Sequence, residues 1–368
     1  MGKTGIKMKN KEILLVTPFL DDIGLYPYLK NLINKLSLYH NVSYLYFPER
    51  GYWLDEELSS PFKSIFVRTI FNLIKGCYQL VKLRKYKYDA IIAVDNLPYI
   101  VTSALIKNNN IILWSHDFIS HDNKRIFTFI QQFILKKTAK IININKRLII
   151  QDIDRRELLE KSIRCKTIKD AFYLPVSTSP RINKYEKTID LNMPILMQIG
   201  GINSFRSGSD ELLLHYQKNS EKYRLYLHGF ISEEIKSLIG SLRYIPVISE
   251  KRVDAEKVYK IVELCDIGFI NYKPADLNFK NIFYASGQLA EFMKCGKPVI
   301  VMGETNINEN VEKHKIGVAI KTINQLGVAI DKILNAYKSY QENCKRCFDG
   351  IYNIDKYMDK LDEWLFNK

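Results

Sequence analysis

The sequence lacks the features of a membrane-spanning or secreted protein. No run approaches the roughly 18 apolar residues that a bilayer-spanning helix needs, and the opening MGKTGIKMKN has neither the apolar core nor the cleavage site of a signal peptide. The six cysteines are scattered, as is typical of a reduced, cytoplasmic protein. Cys344 and Cys347 form a Cys-x-x-Cys pair, but no Cys or His follows to complete a zinc site, so we expect no metal.

The composition allows two folded domains. The chain has 368 residues, of which 46% are hydrophobic and 12% aromatic, which is enough to bury two cores and too long for one ordinary domain. The net charge of +15 is unevenly spread, because residues 1–178 hold 28 Lys and Arg against 16 Asp and Glu, whereas residues 179–368 hold 27 against 24. A basic first half suits nucleic acid, an anionic membrane surface or an acidic substrate as a partner.

Apolar runs bounded by turns alternate with segments of helical period, a pattern that predicts parallel sheets with crossover helices. In the first half we predict a helix at 26–39 and strands at 12–19 (EILLVTPF), 42–47, 88–95, 110–117 and 139–145 (AKIININ). Residues 173–194 have three prolines and no period, which predicts a linker. After it we predict strands at 195–201 (ILMQIGG), 223–230 and 266–272, and a helix at 256–265.

This alternation predicts an α/β protein of two Rossmann-like domains, residues 1–178 and 179–351. A C-terminal helix at about 352–368 is expected to pack back on the first domain. Open parallel sheets bind ligands in the loops after their strands. Neither half has Gly-x-Gly-x-x-Gly after its first strand, where TPFLDDIG and QIGGINSFRSG stand, and a P-loop is missing too. These absences argue against a nicotinamide dehydrogenase.

A short helix carrying a single acid is predicted within ASGQLAEFMKCGKPVIV (285–301). Ser286 can cap this helix, Gly287 lets a ligand approach the bare backbone, and the N-terminal N–H groups favour an anion. Glu291 lies five residues after Ser286, which corresponds to about 7.5 Å along the helix axis. A phosphate bound at the helix tip would therefore be roughly one sugar ring away from Glu291. Its carboxylate can accept hydrogen bonds from two vicinal hydroxyls. The alternative is ordinary helix punctuation with a solvated Glu291.

The stretch SGQLAEFMKCGKPVIV, with ILMQIGGINSFRSGSDELL and VYKIVELCDIGFINYKP upstream, resembles the C-terminal domain of GT-B glycosyltransferases of the "glycosyl transferases group 1" type. The resemblance covers most of the second half, and the first half matches in layout and at a few positions. It implies two Rossmann-like domains facing a cleft. It also implies that Glu291 binds the ribose hydroxyls of a nucleotide sugar, and that the segment Ser286, Gly287 and Gln288 faces the diphosphate and donor sugar.

The resemblance extends to the loop after the first strand of the second half. Gly201, at the end of that strand, is expected to bind the donor. Arg206 in the loop takes the place of a basic residue that contacts the diphosphate; the alternative for Arg206 is a solvated loop charge. Two departures stand out: Phe283 occupies the position of a further acid, and Gln288 replaces a frequent Lys. They leave the donor sugar undefined.

Fewer positions of the first half match the family. In WSHDF, His116 resembles the histidine that lines the donor sugar, and Asp117 would orient it or cap the next helix; the alternative is that His116 is a hydrogen-bonded structural residue. In DDIGLYP, Gly24 resembles the glycine of the loop near the acceptor and phosphates, with Asp21 and Asp22 as acceptor contacts or as acids at a helix N-terminus.

A basic amphipathic helix is predicted at about 62–87. From Leu58 to Tyr88 no acidic residue occurs, while basic residues alternate with apolar ones spaced by threes and fours. Such a helix can lie at an anionic membrane interface. The alternative is a helix that faces the core and has a solvated basic back.

Together these features predict a glycosyltransferase that uses a nucleotide-diphosphate sugar donor and a glycan or lipid-linked acceptor in bacterial surface polysaccharide biosynthesis. The resemblance implies retaining chemistry without cofactor or metal, and we expect a cytoplasmic protein that is peripheral on the inner face of the cell membrane. One alternative is a nucleotide-sugar epimerase of the same fold. The other is a non-enzymatic nucleic-acid-binding protein, although no recognition module is present and we expect no nucleic acid.

Overall fold

The computed structural model describes residues 10–19, 27–47, 62–117, 127–180, 193–251, 253–254, 257–273 and 277–367. The chain divides into two compact units. The first unit is Met1–Leu174 together with Tyr357–Lys368, and the second unit is Pro175–Lys356. None of the helices within the described ranges is long and apolar enough to cross a membrane.

The first unit contains a six-stranded parallel sheet of order β2-β1-β3-β4-β5-β6. Its strands are β1 (Glu12–Phe19), β2 (Asn41–Phe47), β3 (Ala90–Val94), β4 (Ile111–Trp114), β5 (Arg147–Ile150) and β6 (Asp170–Tyr173). The helices between them are α1 (Pro27–Leu36), α2 (Phe62–Leu83), α3 (Asn96–Leu105), α4 (Phe127–Asn145) and α5 (Ile153–Ile163). Every residue of β3 and β4 is buried, as expected for parallel strands that are covered on both sides.

The predicted strand at 139–145 is wrong, because these residues form the last two turns of α4 and the strand β5 begins only at Arg147. AKIININ has the β-branched residues and near alternation of a strand. In the folded unit, however, Leu135, Thr138 and Ile142 are buried at helical spacing. Tertiary packing therefore decides the conformation over the local preference.

The second unit contains another six-stranded parallel sheet, of order β12-β11-β10-β7-β8-β9. Its strands are β7 (Ile195–Ile202), β8 (Arg224–Ile231), β9 (Val247–Ser249), β10 (Ile267–Asn271), β11 (Val299–Met302) and β12 (Gly317–Ile320). Its helices are α6 (Ser204–Ser207), α7 (Ser209–Asn219), α8 (Glu233–Gly240), α9 (Val258–Val262), α10 (Leu277–Lys280), α11 (Gly287–Lys294), α12 (Asn306–Lys313), α13 (Leu326–Asn335) and α14 (Tyr337–Cys347). The prediction of two Rossmann-like domains is confirmed.

The last helix, α15 (Asp355–Phe366), packs on the first unit. The buried His40 ring contacts Asp362 through Nε2 and Oδ1, 2.5 Å apart. The guanidinium of Arg147 lies 4.2 Å from the centre of the Trp364 ring and bonds to Asp170 at 3.1 Å. These contacts hold the C-terminal helix beside β5 and β6.

Each sheet has one position where the strand order reverses, which is where open α/β sheets bind ligands beyond the carboxyl ends of their strands. In the second unit this position lies between β7 and β10, since β7 also pairs with β8 on its other side. In the first unit it lies between β1 and β3. The loop that follows β1, with Asp21, Asp22 and Gly24, lies outside the described residues.

Candidate functional site

The N-terminus of α11 lies at the carboxyl end of the second sheet. Ser286 caps the helix, because its hydroxyl accepts a hydrogen bond from the backbone N–H of Leu289 at 3.1 Å, as predicted. The same hydroxyl lies 2.8 Å from the phenol oxygen of Tyr272, the residue after β10. The tip of α11 is therefore bonded to the strand at which the order of the sheet reverses.

The backbone around this tip is bare. Gly200, near the end of β7, has a φ of 96°, and a Cβ there would lie 2.6 Å from the Gln288 side-chain nitrogen. The positive φ favours glycine at this position, where the end of the Gln288 side chain lies against the backbone. A Cβ on Gly287 would meet only Val176, at 3.9 Å, and one on Gly201 only Asn203, at 3.6 Å. The chain thus presents unshielded peptide groups where the two elements meet.

Glu291 is buried, with 5% of its surface exposed, so the solvated alternative is wrong. It lies one turn after Gly287 on the same side of α11. Its Oε2 is buried and has no hydrogen-bond partner within the described part of the chain. Burial raises the pKa of Glu291 to about 7, against the opposing charge of Lys294. A carboxyl group with an unused acceptor atom inside a protein is costly unless another group hydrogen-bonds to it.

A buried polar network holds the loop after β7. The Gln198 amide donates to the carbonyl of Ser207 at 3.0 Å and accepts from the hydroxyl of Ser209 at 2.9 Å. This loop carries Arg206, whose backbone carbonyl accepts from the N–H of Lys273 after β10 at 2.9 Å. The guanidinium of Arg206 is exposed and lies 5.6 Å from the centre of the Phe279 ring.

Asn271, the last residue of β10, is a site candidate that the sequence did not reveal. It is 3% exposed, and neither atom of its side-chain amide has a hydrogen-bond partner among the described residues. It lies against Gly208 and Gly303, both of which have a positive φ. Its signal in the sequence was only its place, the first polar residue at the end of an apolar central strand.

In the first unit His116 follows β4 and is 8% exposed. Its Nδ1 lies 3.2 Å from the Gln151 amide nitrogen, and its Nε2 has no hydrogen-bond partner among the described residues. The ring contacts Tyr28 and Trp114, with ring centres 4.1 and 4.6 Å apart. Burial, with a smaller effect of Arg155, lowers the pKa of His116 to about 3. The imidazole is therefore neutral at physiological pH.

Three residues that the sequence did not single out hold His116 in place. Asp95, at the end of β3, has a φ of 62°, a conformation that is uncommon outside glycine. Its Oδ1 accepts from the backbone N–H groups of His116 at 2.8 Å and Asp117 at 3.3 Å. Arg155 donates to Gln151 at 2.7 Å and also to the carbonyl of His116.

The charges around this network differ in exposure. Burial, and next the nearby charge of Asp117, raise the pKa of Asp95 to about 7. Asp117 itself is exposed. Within the described ranges no three His, Cys, Asp or Glu side chains are grouped so that they would hold a metal ion.

No family model and no curated protein sequence matches this chain. Solved structures match it in fold. HepE from Anabaena in complex with UDP-glucose gives a TM-score of 0.65 at 14% identity, over 96% of this chain and 99% of that one. Sucrose-phosphate synthase from Thermosynechococcus elongatus gives 0.67 at 15% identity, over 97% and 99% of the two chains.

A third match is WaaG, a glycosyltransferase involved in lipopolysaccharide biosynthesis, with a TM-score of 0.62 at 12% identity, over 97% of this chain and 100% of that one. At such identities the likeness establishes the fold and leaves the chemistry to the residues. The order of the two parallel sheets and the extent of these matches agree. The chain is therefore a protein of GT-B fold, with two Rossmann-like domains.

Proposed function

We propose that this protein is a glycosyltransferase that moves a sugar from a nucleotide-diphosphate sugar to a glycan or lipid-linked acceptor. The observation that carries the proposal is Glu291, a buried carboxyl group with an unpartnered oxygen, one turn inside a helix whose bare N-terminus lies where the sheet order reverses. The fold shared with HepE, which is known in complex with UDP-glucose, supports this class of donor.

The donor is bound by α11 and the loop after β7. The backbone N–H groups of Gly287 and Gln288 and the helix dipole attract the diphosphate, while Glu291 accepts hydrogen bonds from the ribose hydroxyls. Gly201, near the end of β7, and Arg206, in the loop after it, also contribute to donor binding. Charge develops on the leaving diphosphate in the transition state, and Arg206 and the helix N-terminus stabilise it there.

The chemistry proposed is retaining transfer without a metal. The departing phosphate takes the proton of the acceptor hydroxyl, which removes the need for a separate general base. His116, neutral because of its low pKa, lines the donor sugar as a hydrogen-bonding group, and Asp117 orients His116 or caps the next helix. Asp21, Asp22 and Gly24 are proposed to contact the acceptor and phosphates.

The acceptor pathway proposed is bacterial surface polysaccharide assembly at the cytoplasmic face of the membrane. The fold shared with WaaG, a glycosyltransferase involved in lipopolysaccharide biosynthesis, supports it. A lipid-linked acceptor requires the enzyme to work at a bilayer, and the basic helix predicted at 62–87 corresponds to α2 (Phe62–Leu83).

A donor panel tests the proposal. Thermal shift with UDP, GDP, ADP and dTDP sugars is expected to identify one stabilising donor, and Glu291→Ala is expected to lose most of that affinity. Glu342→Gln, an exposed acid on α14 in the same unit, is the control and should bind normally. Unchanged affinity in Glu291→Ala contradicts the assigned role. Incubation with donor alone separates transfer from epimerisation, because an epimerase would convert the sugar without an acceptor.

A further inference from the structure

The outer surface of the first unit carries an uninterrupted run of helices without acidic residues. The segments of α2, α3 and α4 contain no Asp or Glu at all. The three helices lie side by side, with α3 in contact with both α2 and α4. These three helices therefore lack the negative charges that normally alternate with lysines on a solvated surface, whereas α5, which packs on α4, carries Asp154, Glu157 and Glu160.

The exposed side of α2 is apolar where a solvated helix would be polar. Ile74, Tyr78 and Val81, spaced by four and three residues, are 60, 57 and 45% exposed. Leu80, on the opposite side, is fully buried in the core. Lys82 extends over Tyr78, with Nζ 4.4 Å from the ring centre. The helix thus buries one apolar side in the protein and presents a second one, with lysines, to the outside.

Helix α4 repeats this arrangement. Phe133, Lys137, Lys140 and Ile144 follow one another at spacings of four, three and four, and so lie in one row. Phe133 is 52% and Ile144 71% exposed, while Leu135 on the other side is buried. The ammonium of Lys137 lies 5.4 Å from the centre of the Phe133 ring.

The lysines of α4 converge on a groove. Lys107, just after α3, lines a surface groove of about 1200 Å³ together with Lys137, Lys140, Phe133 and Ile144. These three lysines take part in none of the ion pairs shown by the described part of the first unit. Those pairs are Lys11–Asp89, His40–Asp362, Arg147–Asp170 and Arg156–Glu160.

We infer that the outer surfaces of α2 and α4, with the groove between α3 and α4, form a docking face for an anionic phospholipid bilayer. The lysines of the groove bind headgroup phosphates, and the exposed apolar rows of both helices enter the boundary between headgroups and acyl chains. This docking face extends the single basic helix predicted from the sequence to two helices. Its biological purpose rests on the proposed function, because a lipid-linked acceptor lies in a membrane.

Charge and polarity together select a bilayer over nucleic acid. The phosphate groups of a bilayer and those of a nucleic acid could both pair with the lysines. A phosphodiester backbone offers nothing to the aliphatic side chains Ile74, Val81 and Ile144, which remain in water in such a complex, whereas a bilayer interface buries them.

Vesicle flotation with the full chain tests the inference. Wild type is expected to bind phosphatidylcholine vesicles that contain phosphatidylglycerol, less strongly at high salt, and to bind pure phosphatidylcholine poorly. The triple variant Lys107→Gln, Lys137→Gln and Lys140→Gln should bind on the order of 100-fold more weakly, since each lysine near an anionic surface contributes about fivefold. The pair Phe133→Ser and Ile144→Ser should weaken binding without changing the charge.

The matched control is Lys218→Gln, Lys332→Gln and Lys338→Gln, three exposed lysines of the second unit with the same change in net charge. The control should bind as wild type does. Equal loss in both triple variants, or none in either, overturns the inference. It is also overturned if wild type binds a DNA duplex through these lysines but not vesicles.

Turnover with a soluble acceptor separates this inference from the proposed function. The groove variants should keep wild-type turnover of the nucleotide sugar, because the changed residues belong to the first unit and none of them contributes to the proposed donor site on α11. Absence of turnover in every variant, wild type included, would contradict the proposed function while leaving vesicle binding as an independent result.

Discussion

The carboxyl group of Glu291 gives the most direct quantitative prediction. Its pKa is raised by burial to about 7 from a usual value of 4.5. Between these two values the folded protein keeps a proton that the unfolded chain has lost. Stability therefore falls as pH rises through this window and levels off above it. With 1.36 kcal/mol per pKa unit, the loss amounts to about 3 kcal/mol.

Glu291→Gln removes this titration. The amide is close in shape to the protonated acid, so variant and wild type should differ by a nearly constant amount below pH 4.5. From there the variant should gain on wild type, by about 3 kcal/mol at pH 8. Urea unfolding at a series of pH values, followed by far-UV circular dichroism, measures the difference. All other titrating groups cancel because both proteins contain them.

Two results would refute the reasoning. If the free energy of unfolding of wild type and of Glu291→Gln changes in parallel from pH 4.5 to 8, burial does not raise the pKa of Glu291. The same rise in Glu342→Gln, where the acid is exposed, would mean that the effect comes from net charge. Donor binding gives a second readout, since hydroxyl groups that donate to the carboxylate favour its charged form. Donor affinity should therefore increase with pH up to about 7 in wild type and stay level in Glu291→Gln.

Two further predictions follow, one for Gly200 in the second unit and one for His116 in the first. Gly200→Ala should lower the free energy of unfolding by about 1–3 kcal/mol and weaken donor binding, because Gly200 has a positive φ and the Gln288 side chain lies beside it. The control Gly327→Ala in α13, with open space around it, should be neutral or stabilising. Melting temperatures that move in the same direction in both variants would contradict this prediction. The His116 imidazole should stay neutral from pH 5 to 8, because burial, aided by Arg155, lowers its pKa to about 3. An NMR titration of this ring with a midpoint near the usual 6.5 would show that the ring is not buried as described.

The sequence predicted the fold well wherever a strand is buried on both sides. The run EILLVTPF coincides with β1, and ILMQIGG with most of β7, because continuous apolar runs bounded by turn residues have few alternatives. AKIININ failed because its local pattern suits a strand and its burial in α4 depends on residues elsewhere in the fold. Local preference is informative only until packing overrides it.

The site was predictable as far as residue type and helix position go. Ser286 and Glu291 could be placed on one short helix from their spacing, but the burial of Glu291 depends on neighbours distant in the chain. Asp95 and Gln151 were missed for a related reason. Asp95 bonds to residues 21 and 22 positions away, and Gln151 was hidden once β5 had been placed too early. Each follows a strand directly, Asp95 after β3 and Gln151 after β5. Asp95 was included in the predicted strand 88–95, so neither residue could be recognised as the first one after its strand.

The position of α15 makes the second unit an insertion within the first. The chain leaves the first unit after Leu174 and returns at Tyr357, and the returning helix supplies Asp362 to His40 and Trp364 to Arg147. A chimera meant to exchange donor preference between related enzymes should therefore transplant 175–356 as one internal cassette. Both flanking pieces must then come from the same parent, since the final dozen residues pack on the opening half of the chain.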